Sequence, residues 1–267
     1  MKITLLGCGG SFGSPLAWGR NGNIDIDNKK NFRTRSSLLI SENNVNILID
    51  TSPDLRQQLF NAKCTNIEAV LYSHIHSDHT AGLPDMRAMS LINNKIIPVY
   101  SPVEMKNELL KIYKYIFVGY KNYLPFMSLN NLKENMSIKK INIKTFKHNH
   151  GSIDAQTFRI NNFAYSTDIK KFYNKDIDKL KNLDLWIVGL LKMDPHPSHG
   201  GFDEIIDYVK YLKPKKTIFT HMTALIDEQK LNSICPPNVI AGYDGMEIFL
   251  WNKTLMRWNF NYEKKRF

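Results

Sequence analysis

Within six positions of the chain, His74, His76, Asp78 and His79 follow one another in the stretch SHIHSDHTAGL (residues 73–83), where the apolar run EAVLYS (68–73) ends. Imidazoles this close repel one another once protonated, so something else must gather them. Imidazole nitrogens and carboxylate oxygens are ligands for divalent cations of zinc's kind. Alternation along an extended segment sets His74 and His76 on the same side, while Asp78 and His79, on the turn that follows, face a neighbouring position. One cation rarely takes four ligands from six residues, because the backbone cannot wrap that tightly. The spacing therefore predicts two cations side by side, each completed from elsewhere in the chain. Only 8 histidines occur in 267 residues. Three of them fall in this window, so an incidental polar loop accounts for it poorly.

Distant segments must then end on one rim, and the apolar pattern suggests how. KITLLGCG near the start is an apolar run closed by glycines, and SSLLI (36–40) with VNILID (45–50) reads as a hairpin. PDLRQQLFNA (53–62) reads as a short helix, with Pro53 at its first turn. Residues 81–92, 102–117 and 202–212 read as further helices by their apolar spacing. Strands are predicted over 68–73, 97–101, 141–147, 156–161, 163–167, 184–190, 216–221 and 245–251, whereas the Asn-rich span 120–135 reads as irregular. Strands come first and then alternate with helices, and this happens twice. The pattern predicts an α/β protein in which two mixed β-sheets pack face to face with helices outside, a four-layer αββα sandwich. No composition break or repeat divides the chain, so one domain over 1–267 is expected. GCGGSFG departs from G-x-G-x-x-G at Phe12, which argues against a dinucleotide site.

Composition narrows the setting. No run reaches the roughly 18 apolar residues of a membrane helix, and the apolar stretch before Cys8 is too short for a signal sequence. Cys8, Cys64 and Cys235 are odd in number and scattered, which fits a reduced, cytoplasmic protein. The formal charge is +11. Lysine and asparagine are abundant throughout, so most of that charge reads as solvated surface. It is compatible with an anionic partner without requiring one.

Further ligands are expected where apolar strands end in turns. FKHNHGS offers His148 and His150, YSTD offers Asp168, and IFTHM offers His221. His148, two positions from His150, shares its face and reads as support for it. His199, between the strand 184–190 and the helix 202–212, is the candidate proton donor or else a residue bonding its own loop. His196, flanked by Pro195 and Pro197, reads as structural, and Asp203 as a cap of the following helix. Arg33 and Arg35 meet either a phosphate or surface acids. Asp244 either orients His221 or simply forms an Asp-Gly turn. Gly7, Gly9 and Gly10 either let the backbone pass close to the metal site or serve as plain turn residues.

The pattern HIHSDH, followed by His150-Gly151, Asp168 and His221, resembles the metallo-β-lactamase superfamily over nearly the whole chain. The resemblance implies that His74, His76 and His150 hold one cation, that Asp78, His79 and His221 hold a second, and that Asp168 bridges them. True β-lactamases usually carry a cysteine in the bridging region. The carboxylate here favours two hydrolytic divalent ions, Zn or Mn. Ile75-His76 also departs from the H-x-E-x-D of the redox branch. GCGGSFGSP, RTRSS (33–37), HPSHGGFDE (196–204), THM (220–222) and GYDGMEI (242–248) are together similar to PhnP-type phosphodiesterases, which open phosphoribosyl 1,2-cyclic phosphate. Members of that branch often carry a cysteine-rich structural zinc loop. GNIDIDNKKNFR (22–33) has no cysteine and is expected to be held otherwise.

The expected function is hydrolysis of a phosphodiester, with a small cyclic ribose phosphate as substrate and a hydroxide shared by two cations as nucleophile. Asp78 and His199 are the candidate catalytic residues. A ribonuclease Z-like nuclease is the alternative, supported by the basic, aromatic segment 106–123. Against it, Thr223-Ala224 stands where an H-E-A-T type tail is expected. A non-catalytic nucleic-acid binder is disfavoured by the filled ligand set. No membrane partner is expected, and a homodimer is left open.

Overall fold

The computed structural model describes residues 1–17, 19, 22–250 and the backbone of 257–258. The strands are β1 (Lys2–Gly7), β2 (Ser37–Glu42), β3 (Val45–Ile49), β4 (Ala69–Leu71), β5 (Ile97–Ser101), β6 (Met127–Asn131), β7 (Asn135–Ile138) and β8 (Ile141–His150). After them come β9 (Ile153–Ile160), β10 (Phe163–Ser166), β11 (Lys171–Phe172), β12 (Leu185–Gly189), β13 (Lys216–Thr220), β14 (Val239–Ala241), β15 (Met246–Phe249) and β16 (Arg257–Trp258). The helices are α1 (Leu55–Asn61), α2 (Ser77–Thr80), α3 (Met86–Ile92), α4 (Lys106–Phe117), α5 (Asn174–Ile177), α6 (Phe202–Leu212) and α7 (Glu228–Ile234). One sheet runs β16-β15-β1-β2-β3-β4-β5-β6 and the other β11-β8-β9-β10-β12-β13-β14, with β7 beside β8. Both are mixed. β3 to β6 are parallel in the first, and β10 to β14 in the second, β11 aside.

Single-residue alternation builds the layers. Leu38, Ile40, Ile47, Ile49 and Leu71 share a core with Phe158, Ile160 and Tyr165 of the second sheet. Their neighbours Leu39, Leu48 and Val70 pack instead with Leu55 of α1, Met86 of α3 and Leu109 and Ile116 of α4. Ile205, Val209 and Leu212 of α6 and Leu231 of α7 pack on the second sheet. Each fully buried Leu or Ile contributes about 1.5–3 kcal/mol, and a one-residue slip would swap both faces. The four-layer αββα arrangement expected from the pattern is the one observed.

Several expectations are corrected. The span 120–135 is not all irregular: β6 pairs in parallel with β5, burying Met127 in the outer core. The helix expected over 81–92 is broken into a 3-10 turn (Leu83–Asp85) and α3, with Pro84 inside the turn. The strand expected over 141–147 runs on to His150, so His148 and His150 lie within β8. Residue 251 of the last expected strand lies outside the described residues. Among the described residues, no helix is long and apolar enough to cross a membrane.

Candidate metal centre

Four strand ends, one short helix and one loop deliver the cluster. After β4 the chain continues through Tyr72 and Ser73 to His74, and α2 then folds Asp78 and His79 back beside it. His150 closes β8, Asp168 follows β10 and His221 follows β13. His199 lies between β12 and α6. Asp50, Asp168 and His221 leave their strands with φ of 62°, 50° and 58°. The left-handed region is uncommon for residues with a Cβ, and holding them there costs of order 1–3 kcal/mol each. All three re-aim a polar side chain into the same place.

The ligand atoms converge as the linear pattern requires. Those of His74, His76 and His150 lie within 4.8 Å of one another, and so do those of Asp78, His79 and His221. Asp168 stands between the groups. Its Oδ2 lies 3.2 Å from His79 Nε2, and its Oδ1 lies 3.2 Å from His221 Nε2 and 3.7 Å from His150 Nε2. His199 Nε2 is 3.1 Å from the same Oδ1. Six of the eight histidines, all but His148 and His196, belong to these groups.

The donor set fits divalent cations. Ser73 Oγ gives its one hydrogen to Asp50 Oδ2 (2.7 Å), so it accepts from His74 Nδ1 at 3.0 Å. His79 Nδ1 donates to Asp50 Oδ2 (2.8 Å) and His150 Nδ1 to the Ser198 carbonyl (2.9 Å). Each outer contact fixes a tautomer and leaves the Nε2 lone pair facing the cluster. His79 Nε2 is buried without a hydrogen-bond partner, an arrangement that costs about 1–3 kcal/mol unless something electrophilic meets it. The site's residues therefore fit divalent metal, with Asp168 within reach of both groups.

The electrostatics agree. Burial pushes the Asp168 carboxyl up, yet the imidazoles of His221 and His79 hold it well below the usual carboxylate range. Asp78 behaves the same way, with His79 as the main counterweight. Burial drives His150 down to about 4 and His74 well down, keeping both in the neutral form that binds metals. Burial also acts to lower His79, but Asp168, Asp78 and Asp50 outweigh it and raise this imidazole. The same concentration of negative charge suits a cation.

Other predicted residues fall elsewhere. His148 uses both nitrogens, on Thr157 Oγ1 (2.9 Å) and the Thr167 carbonyl (2.8 Å), so it holds the strand that leads to Asp168. Asp244 does not touch His221. It accepts from Cys8 N (3.0 Å), Thr34 N (2.7 Å) and Thr34 Oγ1 (2.5 Å). Arg35 pairs with Asp54 at 3.1 Å. Arg33 is buried and donates to the Ile226 carbonyl (2.9 Å) and Asn31 Oδ1 (2.9 Å), which turns it away from any substrate role. Glu204, not Asp203, caps α6 by accepting from Gly201 N at 2.9 Å. Gly7 and Gly9 give way to the backbone of residues 33–35 rather than to the cluster.

The cysteine-free loop is held by polar contacts. Asn31 donates to Asp227 Oδ2 (2.7 Å) and accepts from Glu228 N (2.8 Å), while Asp25 N also reaches Asp227 (2.9 Å) and Lys30 pairs with Glu228 (3.0 Å). Sequence reasoning missed Asp50. Its signal was present: an aspartate ending VNILID, the strand paired with the one that delivers His74. A groove of about 510 Å³ between Glu104, Lys147, Tyr173 and Lys179 contains none of the cluster histidines. Its Lys147 and Lys179 are paired with Glu104 and Glu134.

The model of the beta-lactamase superfamily domain matches residues 45–222. An octanoyltransferase of Porphyromonas gingivalis is 30% identical over 264 residues, covering 96% of this chain and 53% of that protein. A ribonuclease Z of Clostridium kluyveri is 25% identical over 193 residues, covering 68% of this chain and 53% of that enzyme. The chain thus spans about half the length of either relative. The solved structure of a diphosphatase from the PhnP family superposes with a TM-score of 0.84 at 25% identity, covering 92% of this chain and 95% of that one.

Proposed function

The chain belongs to the beta-lactamase superfamily, and from that premise we propose that it is a hydrolase dependent on two divalent cations that cleaves phosphodiester bonds, with a small cyclic ribose phosphate as substrate. The observation that carries this reading is the convergence of His74, His76, Asp78, His79, His150, Asp168 and His221 from distant segments onto one centre. Cations bound there, Zn or Mn, would supply a nucleophile from water at neutral pH and offset charge on the phosphoryl oxygens. Asp168, between the two groups, keeps them at one spacing, and Asp78 aligns His79 and His221. His199 is the proton donor to the departing sugar oxygen, because its Nε2 faces the shared carboxylate. Likeness to a PhnP-family diphosphatase supports phosphoryl chemistry. The octanoyl transfer named for the longer relative is not carried over, since the chain spans 53% of it.

Ribonuclease Z-like cleavage is the second reading, favoured by the likeness to the Clostridium enzyme and by Tyr115, Tyr120 and Tyr123 standing exposed beside lysines 111, 114 and 121. A panel of cyclic ribose phosphates, 2′,3′-cyclic nucleotides, aryl phosphodiesters and precursor tRNA separates the two. The first reading expects fastest turnover on a cyclic ribose phosphate, lost with a chelator and restored by Zn or Mn. Preferred cleavage of precursor tRNA would select the second. Chelator-resistant hydrolysis would defeat both.

A further inference from the structure

We infer that the groove of about 510 Å³ is a second ligand site, built for a purine nucleoside and separate from the metal centre. Its volume suits a small organic molecule. It lies where the two sheets part. Pro102 and Glu104 follow β5 of the first sheet, Lys147 and Gln156 belong to β8 and β9 of the second, and Tyr173 precedes α5. Most of its charges already cancel. Lys147 pairs with Glu104 at 2.6 Å, and Lys179 pairs with Glu134 at 2.8 Å and with Asp176 at 2.7 Å. A neutral, polar occupant leaves those pairs in place.

Two polar groups on β9 are left for a ligand. Gln156 lines the groove and is only 5% exposed, yet its side-chain amide has no hydrogen-bond partner among the described residues. Its backbone N–H is spent on the Ser73 carbonyl at 3.0 Å. An amide buried this far without a partner is unfavourable until a matching edge meets it. Asp154 Oδ1 accepts from Tyr173 Oη–H at 2.5 Å, and its Oδ2 accepts no hydrogen bond among the described residues. Alternation sets Asp154 and Gln156 on one face, about 6.6 Å apart along the strand. His148 and His150, paired with Ala155 and Ile153, take the opposite face. An amide with one acceptor and a donor pair complements N6–H and N7 of adenine, the bidentate contact by which glutamine reads that base. A free carboxylate oxygen accepts from a ribose hydroxyl. The glycosidic bond holds base and hydroxyls a few residues' breadth apart or less, as β9 holds Gln156 and Asp154. Pro102 and Leu132 add apolar wall for the base.

Titration calorimetry on the full chain supplied with Zn²⁺, with adenosine, 2′,3′-dideoxyadenosine and uridine as probes, tests the site. Adenosine is expected to bind with a Kd below about 1 mM. Gln156→Leu keeps the side chain's size and strands no partner, and should weaken adenosine at least about fivefold. Asp154→Asn should weaken adenosine about threefold or more and leave the affinity for dideoxyadenosine unchanged. Should Gln156→Leu fail to fold by circular dichroism, this second comparison decides. His76→Ala, at the metal centre, should keep the adenosine Kd within about twofold of the parent. No saturable binding of adenosine by the parent overturns the inference, as does a loss in His76→Ala with none in Gln156→Leu. Equal affinity for uridine and adenosine overturns the purine assignment. None of these readouts uses phosphodiester turnover, so the site stands or falls apart from the proposed hydrolysis.

Discussion

Asp50 Oδ2 accepts the Nδ1–H of His79 at 2.8 Å, and the same carboxylate reaches His74 through Ser73 Oγ. One fully buried acid thus orients a histidine from each half of the cluster. Asp50→Asn puts an amide NH2 among donors that need acceptors. Zinc affinity is expected to fall about 10–100-fold with the fold retained. Competition with a chromophoric chelator measures it, and an unchanged affinity would remove Asp50 from the positioning role.

His76 is the exposed member of its group, beside buried His74 and His150. His76→Ala should therefore shift stability by no more than about 0.5 kcal/mol while phosphodiester hydrolysis drops at least about a hundredfold. Turnover and urea denaturation, measured on one preparation, check both halves. Full activity in this variant would refute the ligand assignment.

Asn31 is fully buried and stands at the middle of the network that holds loop 22–33. Asn31→Ala strands Asp227, Arg33 and Glu228 N without their partner. A loss of about 2–4 kcal/mol is expected, read as a lower urea midpoint with the same slope. A midpoint within error of the parent would mean that the loop is held by something else.

Burial holds the Asp244 carboxyl up at about 6, against the hydrogen bonds from Thr34 and Cys8 that act to lower it. A folded value above the unfolded one (about 3.9) means stability that is complete below pH 4 and lost as pH rises to about 6. Asp244→Asn does not titrate. The stability of the parent relative to this variant should therefore fall by roughly 2–3 kcal/mol between pH 4 and 6 and stay level above. Thermal or urea melts across that window test it, and a flat difference would show that the carboxyl is not raised.

Much of the fold was legible because the core is written in single-residue alternation: Leu38, Leu39 and Ile40 declare two buried faces before any contact is known. β6 was hidden because MSLNN carries little apolar signal and owes its strand to the edge of β5. The cluster was legible for a similar reason. His74, His76, Asp78 and His79 are local, and His150, Asp168 and His221 each sit where an apolar strand stops.

The linear chain by itself determined which imidazoles and carboxylates are available and that His150, Asp168 and His221 stand where apolar strands stop. Tertiary structure alone decided which aspartates serve it. Asp50 and Asp244 both close short apolar stretches, yet β3 pairs with β4 and brings Asp50 beneath Ser73 and His79, whereas Asp244 lies against Cys8 and Thr34. Spacing and propensity act over a few residues. The partner of a buried polar group is set by strand pairing and by the left-handed exits at Asp50, Asp168 and His221, which bring together residues far apart in the chain.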